Sequence, residues 1–381
     1  MRSSRRLALL LAASAAARSS LSAPTGSLEL IYYTSRAGPA ELGSLSLATG
    51  KLARLATLGA YGSLFGDNVD YDNAADLLLT STEALDDPSP VTDGRLITFA
   101  GATKKVAVVN STFCWGLHAA ALDKDVLCLT EWPFYNFSAA GAAPSSRRAA
   151  ARGAAADREL LALARSSGTP LPLLARQRAA DQRRRRGAAP EQQEQFLLRL
   201  DVASGRSTLV RRNWSDNDVP QNNCETLDRS GPKPVLYAWM SDVVNMQSLI
   251  YGVDATTGAV LSKVTSPVDT LFYTWEFCRA DNKTYGVVAE FVPAKKAWSN
   301  TFAALDLQSG SHTTIAAVPE FDSEWGPTFV STISDDTFFT CVTDKAGQFL
   351  VVGLAIATGK VSFGPVAVNS SYTPGQFVYK P

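Results

Sequence analysis

Histidine is nearly missing from this chain, with only His118 and His312 among 381 residues. A three-histidine zinc site is therefore excluded, and a histidine-based catalytic triad would have to be built on one of two widely separated residues. Cysteine is scarce as well. The five, at positions 114, 128, 224, 278 and 341, are odd in number, scattered, and include no C-x-x-C pair. That spacing argues against a disulfide framework and for small buried thiols, with one or two bridges plus a free thiol as the alternative. No apolar run approaches the roughly 20 residues of a membrane-spanning helix. A net charge of one sign is also lacking, since 36 Lys+Arg balance 36 Asp+Glu. What remains is a globular composition, 46% hydrophobic and 19% charged, long enough for two or three domains or one large repeat-built domain.

The N-terminus reads as a targeting segment. Arg2, Arg5 and Arg6 precede the apolar run 7–17, broken only by Ser14, with small residues at Ala15, Ala17 and Ala23 suited to cleavage. Residues 1–23 are thus expected to be a signal peptide, with a twin-arginine signal or an organelle transit peptide as weaker readings. Five glycosylation sequons, at Asn110, Asn136, Asn213, Asn282 and Asn369, favour the secretory route. The expected location is extracellular or the lumen of the secretory pathway.

Residues 139–195 break with their surroundings. They are rich in Ala, Arg, Gln and Pro, contain Arg183-Arg184-Arg185-Arg186, and show no alternating apolar pattern. A disordered, solvated low-complexity insertion is expected here. The four-Arg run also fits a convertase cleavage site or a polyanion contact. The segment holds eleven Arg and five acids, and the signal region four more Arg; without them the body keeps 21 basic and 31 acidic residues, a net of −10. An acidic body with no basic patch on a structured element predicts no nucleic-acid partner.

With the insertion set aside, a period emerges. β-rich runs flank small-residue turns in LSLATGKLARL around Gly50, FAGATKKVAVV around Thr103, LRLDVASGRSTLV around Gly205, YGVDATTGAVLSKV around Gly258, ALDLQSGSHTTIA around Gly310 and LAIATGKVSF around Gly359. The intervals are 53, 102, 53, 52 and 49, the 102 spanning the insertion. A second marker, an Asp closing a strand, recurs at Asp72, Asp123, Asp228, Asp281 and Asp335 with spacings of 51, 105, 53 and 54. Asp bonds to its own backbone in tight turns, and Gly supplies the left-handed residue between antiparallel strands. Each unit has room for four strands, which fits a propeller blade rather than a β-helix coil or a helical repeat.

The expected fold is therefore all-β, a six-bladed β-propeller with seven blades as the alternative. Residues 24–138 carry blades one to three in part, and 196–381 the rest of blade three to blade six. The chain opens with two strands before the first T-G turn, and 376–380 form a last strand without a blade of its own. Added to the N-terminal blade, it closes the ring and removes exposed sheet edges. The phrases GVDATTGAVLSKV, ALDLQSG and LAIATGKV resemble the A-x-D-x-x-T-G-K turns of quinoprotein-type propeller repeats. The tryptophan that often follows that turn is absent, with Lys263 and Phe363 near its place, so the resemblance implies the fold and no quinone chemistry.

Candidate sites follow from that architecture. His312 follows a turn and reads as a solvated turn residue, and His118 as a core or rim residue of an inner strand. The stretch 67–73 (DNVDYDN) looks like a calcium loop, but Leu79 stands where the bidentate Glu should be. Connections between blades gather acids, amides and aromatics on one rim: Trp214, Asp216 and Asn223, then Asp322, Glu324 and Trp325, with Glu276 and Trp275 lining the channel below. These residues predict a binding or protein-interaction module taking a protein, peptide or carbohydrate ligand, in a monomer without a membrane span and without catalysis. The alternative is a carboxylate- or metal-dependent hydrolase or lactonase at the channel, with a divalent cation such as Ca²⁺ as its cofactor.

Overall fold

The structure is a computed structural model that describes residues 24–32, 34, 40–58, 68–72, 77–82, 95–109, 116–122, 125–131, 195–202, 206–212, 218–242, 247–266, 270–292, 294, 297–317, 327–343, 346, 348–370 and 377–381. Residues 1–23 and 139–194 lie outside them; Gln195 opens a strand.

Among the described residues the chain forms β-strands only, arranged in six four-stranded antiparallel sheets. The first holds β1 (Ser27–Tyr32), β2 (Glu41–Ser46) and β3 (Leu52–Thr57), preceded by β24 (Phe377–Lys380) from the other end of the chain. The second holds β4 (Asn68–Asp72), β5 (Leu77–Thr82), β6 (Arg95–Ala100) and β7 (Lys105–Val109). The third holds β8 (Gly116–Leu122), β9 (Asp125–Glu131), β10 (Gln195–Asp201) and β11 (Ser207–Arg212). The fourth is β12 (Asp218–Asp228), β13 (Val235–Asp242), β14 (Gln247–Asp254) and β15 (Val260–Thr265). The fifth is β16 (Thr270–Cys278), β17 (Lys283–Val292), β18 (Ala297–Asp306) and β19 (Ser311–Ala317). The sixth is β20 (Pro327–Ile333), β21 (Thr337–Thr343), β22 (Phe349–Ala355) and β23 (Val361–Val368).

The arrangement is propeller-like. The first strand of each sheet packs beside the first strand of the next, β4 on β8, β8 on β12, β12 on β16, β16 on β20, β20 on β24 and β24 on β4. Strand order in the second to sixth sheets is a plain meander, and in the first the meander β1–β2–β3 is completed by β24. The core lies in the layers between sheets. Tyr237 and Trp239 of β13 share one cluster with Phe272, Trp275 and Val288 of the fifth sheet, while Leu236, Ala238 and Met240, on the opposite face of β13, pack with Leu127 and Leu197 of the third. Successive residues of β13 thus face two neighbouring sheets, which explains its unbroken apolar run.

Two local devices repeat. At the turns after β2, β14, β18 and β22 the amide of Gly50, Gly258, Gly310 and Gly359 donates to the carbonyl four residues earlier at 2.8 Å, with φ between +65° and +73°. Only glycine adopts that conformation without strain. At two of these turns the accepting residue also caps the turn with its side chain: Asp254 Oδ1 accepts from the amides of Thr256 and Thr257 at 2.8 and 3.0 Å, and Asp306 Oδ1 from Gln308 and Ser309 at 3.0 and 3.3 Å. In the turn before β7 the left-handed position is held not by glycine but by Lys104, with φ of 53°.

Two expectations are corrected, and the calcium-like stretch, already set aside for want of the bidentate Glu, finds its place. Residues 68–72 of the apparent calcium loop form strand β4, paired along β5, because their alternation of polar and apolar residues is that of an extended chain. His312 lies on β19 opposite Leu305 and its side chain is only 12% exposed, so it is not a solvated turn residue. A seventh sheet is not present among the described residues.

Candidate functional site

The first strands of the sheets carry a polar seam. Thr226 Oγ1 on β12 accepts from the amide of Phe277 on β16 at 3.0 Å. Two sheets on, Thr332 Oγ1 on β20 accepts from the amide of Tyr379 on β24 at 3.0 Å. Between them, Ser331 Oγ on β20 donates to Glu276 Oε1 on β16 at 2.8 Å and shares a further short hydrogen bond with Thr274. Thr226, Glu276 and Thr332 occupy comparable register positions, opposite Tyr237, Tyr285 and Phe339. Thr274 and Ser331 are buried, whereas Glu276 is half-buried. A carboxylate thus stands where the neighbouring seams use threonine.

Trp275, the residue before Glu276, is a correction. It is 1% exposed, packs at 5.6 Å between ring centroids against Phe272, and belongs to the core between sheets rather than to a channel lining. The alternation of β16 puts it on the face opposite Glu276. At the end of this strand, Tyr285 donates a short hydrogen bond to Asp281. Burial, and then the Asp281 carboxylate, push the Tyr285 hydroxyl up out of the ordinary phenol range. Burial likewise raises the Cys278 thiol, against the opposing pull of the Ala280 and Asp281 amides. A thiol 1% exposed and held neutral is no nucleophile. Cys278 and Cys341 are both buried thiols.

Of the residues singled out from sequence, Trp214, Asp216, Asp322, Glu324 and Trp325 lie outside the described residues, and Asn223 is placed on β12 by its backbone. The sequons at Asn110, Asn136 and Asn213 also lie outside; Asn282 is exposed in the β16–β17 turn with φ of 57°, and Asn369 is exposed after β23. Thr274 and Ser331 were not legible beforehand. Their partner Glu276 precedes its Asp marker by five residues, but Thr226 precedes Asp228 by two and Thr332 precedes Asp335 by three. Turn lengths that differ hide the common register.

No protein-family profile matches this chain, and no curated protein matches it either. Among solved structures it is similar to a 6-phosphogluconolactonase-like protein of Bacteroides uniformis, 12% identical, with a TM-score of 0.46 over 89% of this chain and 81% of that one. It is also similar to the oligogalacturonate lyase of Vibrio parahaemolyticus, 8% identical, TM-score 0.41, covering 85% and 90%. A third is the β-propeller domain of the Trilobed protease from Pyrococcus furiosus, 6% identical, TM-score 0.38, covering 81% and 72%.

Proposed function

We propose that this chain is a six-bladed β-propeller, closed by its C-terminal strand, that acts in the secretory pathway or outside the cell as a binding module for a protein, peptide or carbohydrate ligand. The observation that carries the reading is the closed succession of first strands. In a ring of meanders, every passage from the last strand of one sheet to the first strand of the next enters at one end. Trp214, Asp216 and Asn223 lie on or beside the passage between β11 and β12, and Asp322, Glu324 and Trp325 on that between β19 and β20. Aromatic faces beside acids and amides suit sugars and cationic or polar peptide groups.

The reading is tested with protein secreted from a eukaryotic host and probed on glycan and peptide arrays. Trp214→Ala with Trp325→Ala should abolish array binding while leaving the melting temperature within a few degrees. A tightly held divalent ion, with turnover of lactone or ester probes that EDTA abolishes, would replace this reading by the carboxylate- or metal-dependent hydrolase. Cleavage of the signal peptide 1–23 and glycan at Asn213 belong to the same proposal; glycosidase treatment that shifts no band would count against secretion.

A further inference from the structure

The outermost strand of each sheet pairs with one neighbour only among the described residues. An edge of that kind invites pairing with another chain, and proteins blunt it with charge, with proline or with a covering group. Four of the six outermost strands carry an exposed cation: Arg54 on β3, Lys105 on β7, Arg212 on β11 and Lys263 on β15. A fifth, β19, exposes Ser311, Thr313 and Thr314. The sixth, β23 (VSFGPVAV), has no charged side chain, and the residues it exposes are Val361, Pro365 and Ala367. Pro365 takes one donor out of the middle of the strand. The stretch 366–368 beyond it has neither proline nor charge.

Directly after that stretch comes the sequon Asn369-Ser370-Ser371. Asn369 is exposed, whereas Val368 before it is buried. The Ser370 amide donates to the Val368 carbonyl at 2.8 Å, closing a three-residue turn centred on Asn369 just past the end of the ladder. The sequons at Asn110 and Asn213 likewise come first after outermost strands, β7 and β11. Asn282 is placed differently. It stands in the β16–β17 turn with φ of 57°, and the Thr284 of its sequon already lies in β17, paired with Phe277 on one side and Leu305 on the other. Thr284 is 7% exposed, so the third residue of that sequon is shut into the sheet.

We propose that Asn369 carries an N-linked glycan that screens the outer edge of β23, while Asn282 stays unmodified. The proposal rests on passage through the secretory pathway, as read above, and not on the ligand of the rim. In the modification the amide nitrogen of Asn369 bonds to the anomeric carbon of a lipid-diphosphate-linked oligosaccharide and gives up one proton. The bond between that carbon and the diphosphate oxygen breaks, and the lipid diphosphate departs. A bulky, hydrated group at the end of β23 does for this strand what lysine or arginine does for the others.

The test uses the full chain collected from the medium of a eukaryotic host. Its sequon peptides are weighed by mass spectrometry after enzymatic release of glycan, which leaves Asp where a glycosylated Asn stood. Conversion at Asn369 and none at Asn282 is the expected result. Ser371→Ala removes the sequon and keeps Asn369; it should lower the temperature at which light scattering rises and leave the unfolding midpoint unchanged. Adding Ala367→Lys to that variant should restore the parent's behaviour by placing a charge on the bare edge. Secreted protein with glycan elsewhere but none at Asn369, or with as much at Asn282, would overturn the proposal. So would a Ser371→Ala chain that associates no sooner than the parent, or one that Ala367→Lys does not rescue. A chain kept inside the cell with residues 1–23 uncleaved and no glycan fails at the secretory reading itself, and this proposal falls with it.

Discussion

At the residue scale the turn aspartates do more than mark a period. Burial alone would raise the Asp254 carboxyl, but the Thr256 and Thr257 amides, the Thr257 hydroxyl and Lys233, whose Nζ lies 3.5 Å away, hold it below the usual carboxylate value. Asp306 is held low first by the Ser309 hydroxyl, with the amides of Gln308 and Ser309 adding to it against its burial. A folded-state pKa below the unfolded one means the ionised form is what folding stabilises. That contribution is present above the unfolded value of about 4 and is lost as pH falls through the folded one. Asp254→Ala should cost about 1–3 kcal/mol at neutral pH, since it leaves two turn amides and a lysine without their acceptor. The gap between variant and parent in urea melts should shrink below about pH 4; a gap that stays constant to pH 2 would assign the loss to packing instead. Lys104 is the converse case. A side chain in the left-handed region costs roughly 1 kcal/mol, so Lys104→Gly should raise stability by up to that amount, read as a higher denaturation midpoint.

At the element scale, the strands announced by turn chemistry were legible and the seams between them were not. Gly258, Gly310 and Gly359 sit in the tight turns that their T-G or S-G pairs imply, because φ > 0 is a demand of the turn itself and needs no partner. The pairing of Thr226 with Phe277 depends on how two sheets meet, and nothing in either strand's own period encodes it. Trp275 shows the same limit: composition beside Glu276 suggested a channel, while strand alternation sent it into the core. The segment between β9 and β10 can be argued from its ends. Glu131 pairs with Gln195 and the ladder runs without a break to Asp125 and Asp201, so the two strands are held together directly where the chain leaves and returns. Loop-closure cost grows only with the logarithm of length. Deleting 139–194 should therefore leave the melting temperature within a few degrees. A chain that no longer folds after that deletion would give the segment a structural role.

At the scale of the whole molecule, what matters is that the ends of the chain meet. Phe377, Val378, Tyr379 and Lys380 pair with Leu30, Glu29, Leu28 and Ser27. Phe377 is fully buried among Leu28, Leu30 and Phe339, and the Tyr379 ring stacks on Phe339 at 6.2 Å between centroids. Val378 points the other way, into the cluster of Ile31, Ile97 and Phe99 against the second sheet. Four residues thus join three sheets, the Tyr379 amide adding its bond to Thr332 of the sixth. A chain ending at residue 372 loses that strand, exposes the edge of β1 and opens the layer between the sixth and second sheets. Phe377→Ala alone should cost about 3–5 kcal/mol, as for other fully buried aromatics. The truncation should cost more, approaching the net stability of roughly 5–15 kcal/mol that a domain possesses. Val378→Pro removes a ladder donor in the same strand and should act in the same direction with every other side chain in place. The measurement is thermal and urea unfolding of the three variants beside the parent, with light scattering to detect association through the freed edge. A truncated chain as soluble and as heat-stable as the parent would show that the ends need not meet, and the closed ring would fall with it.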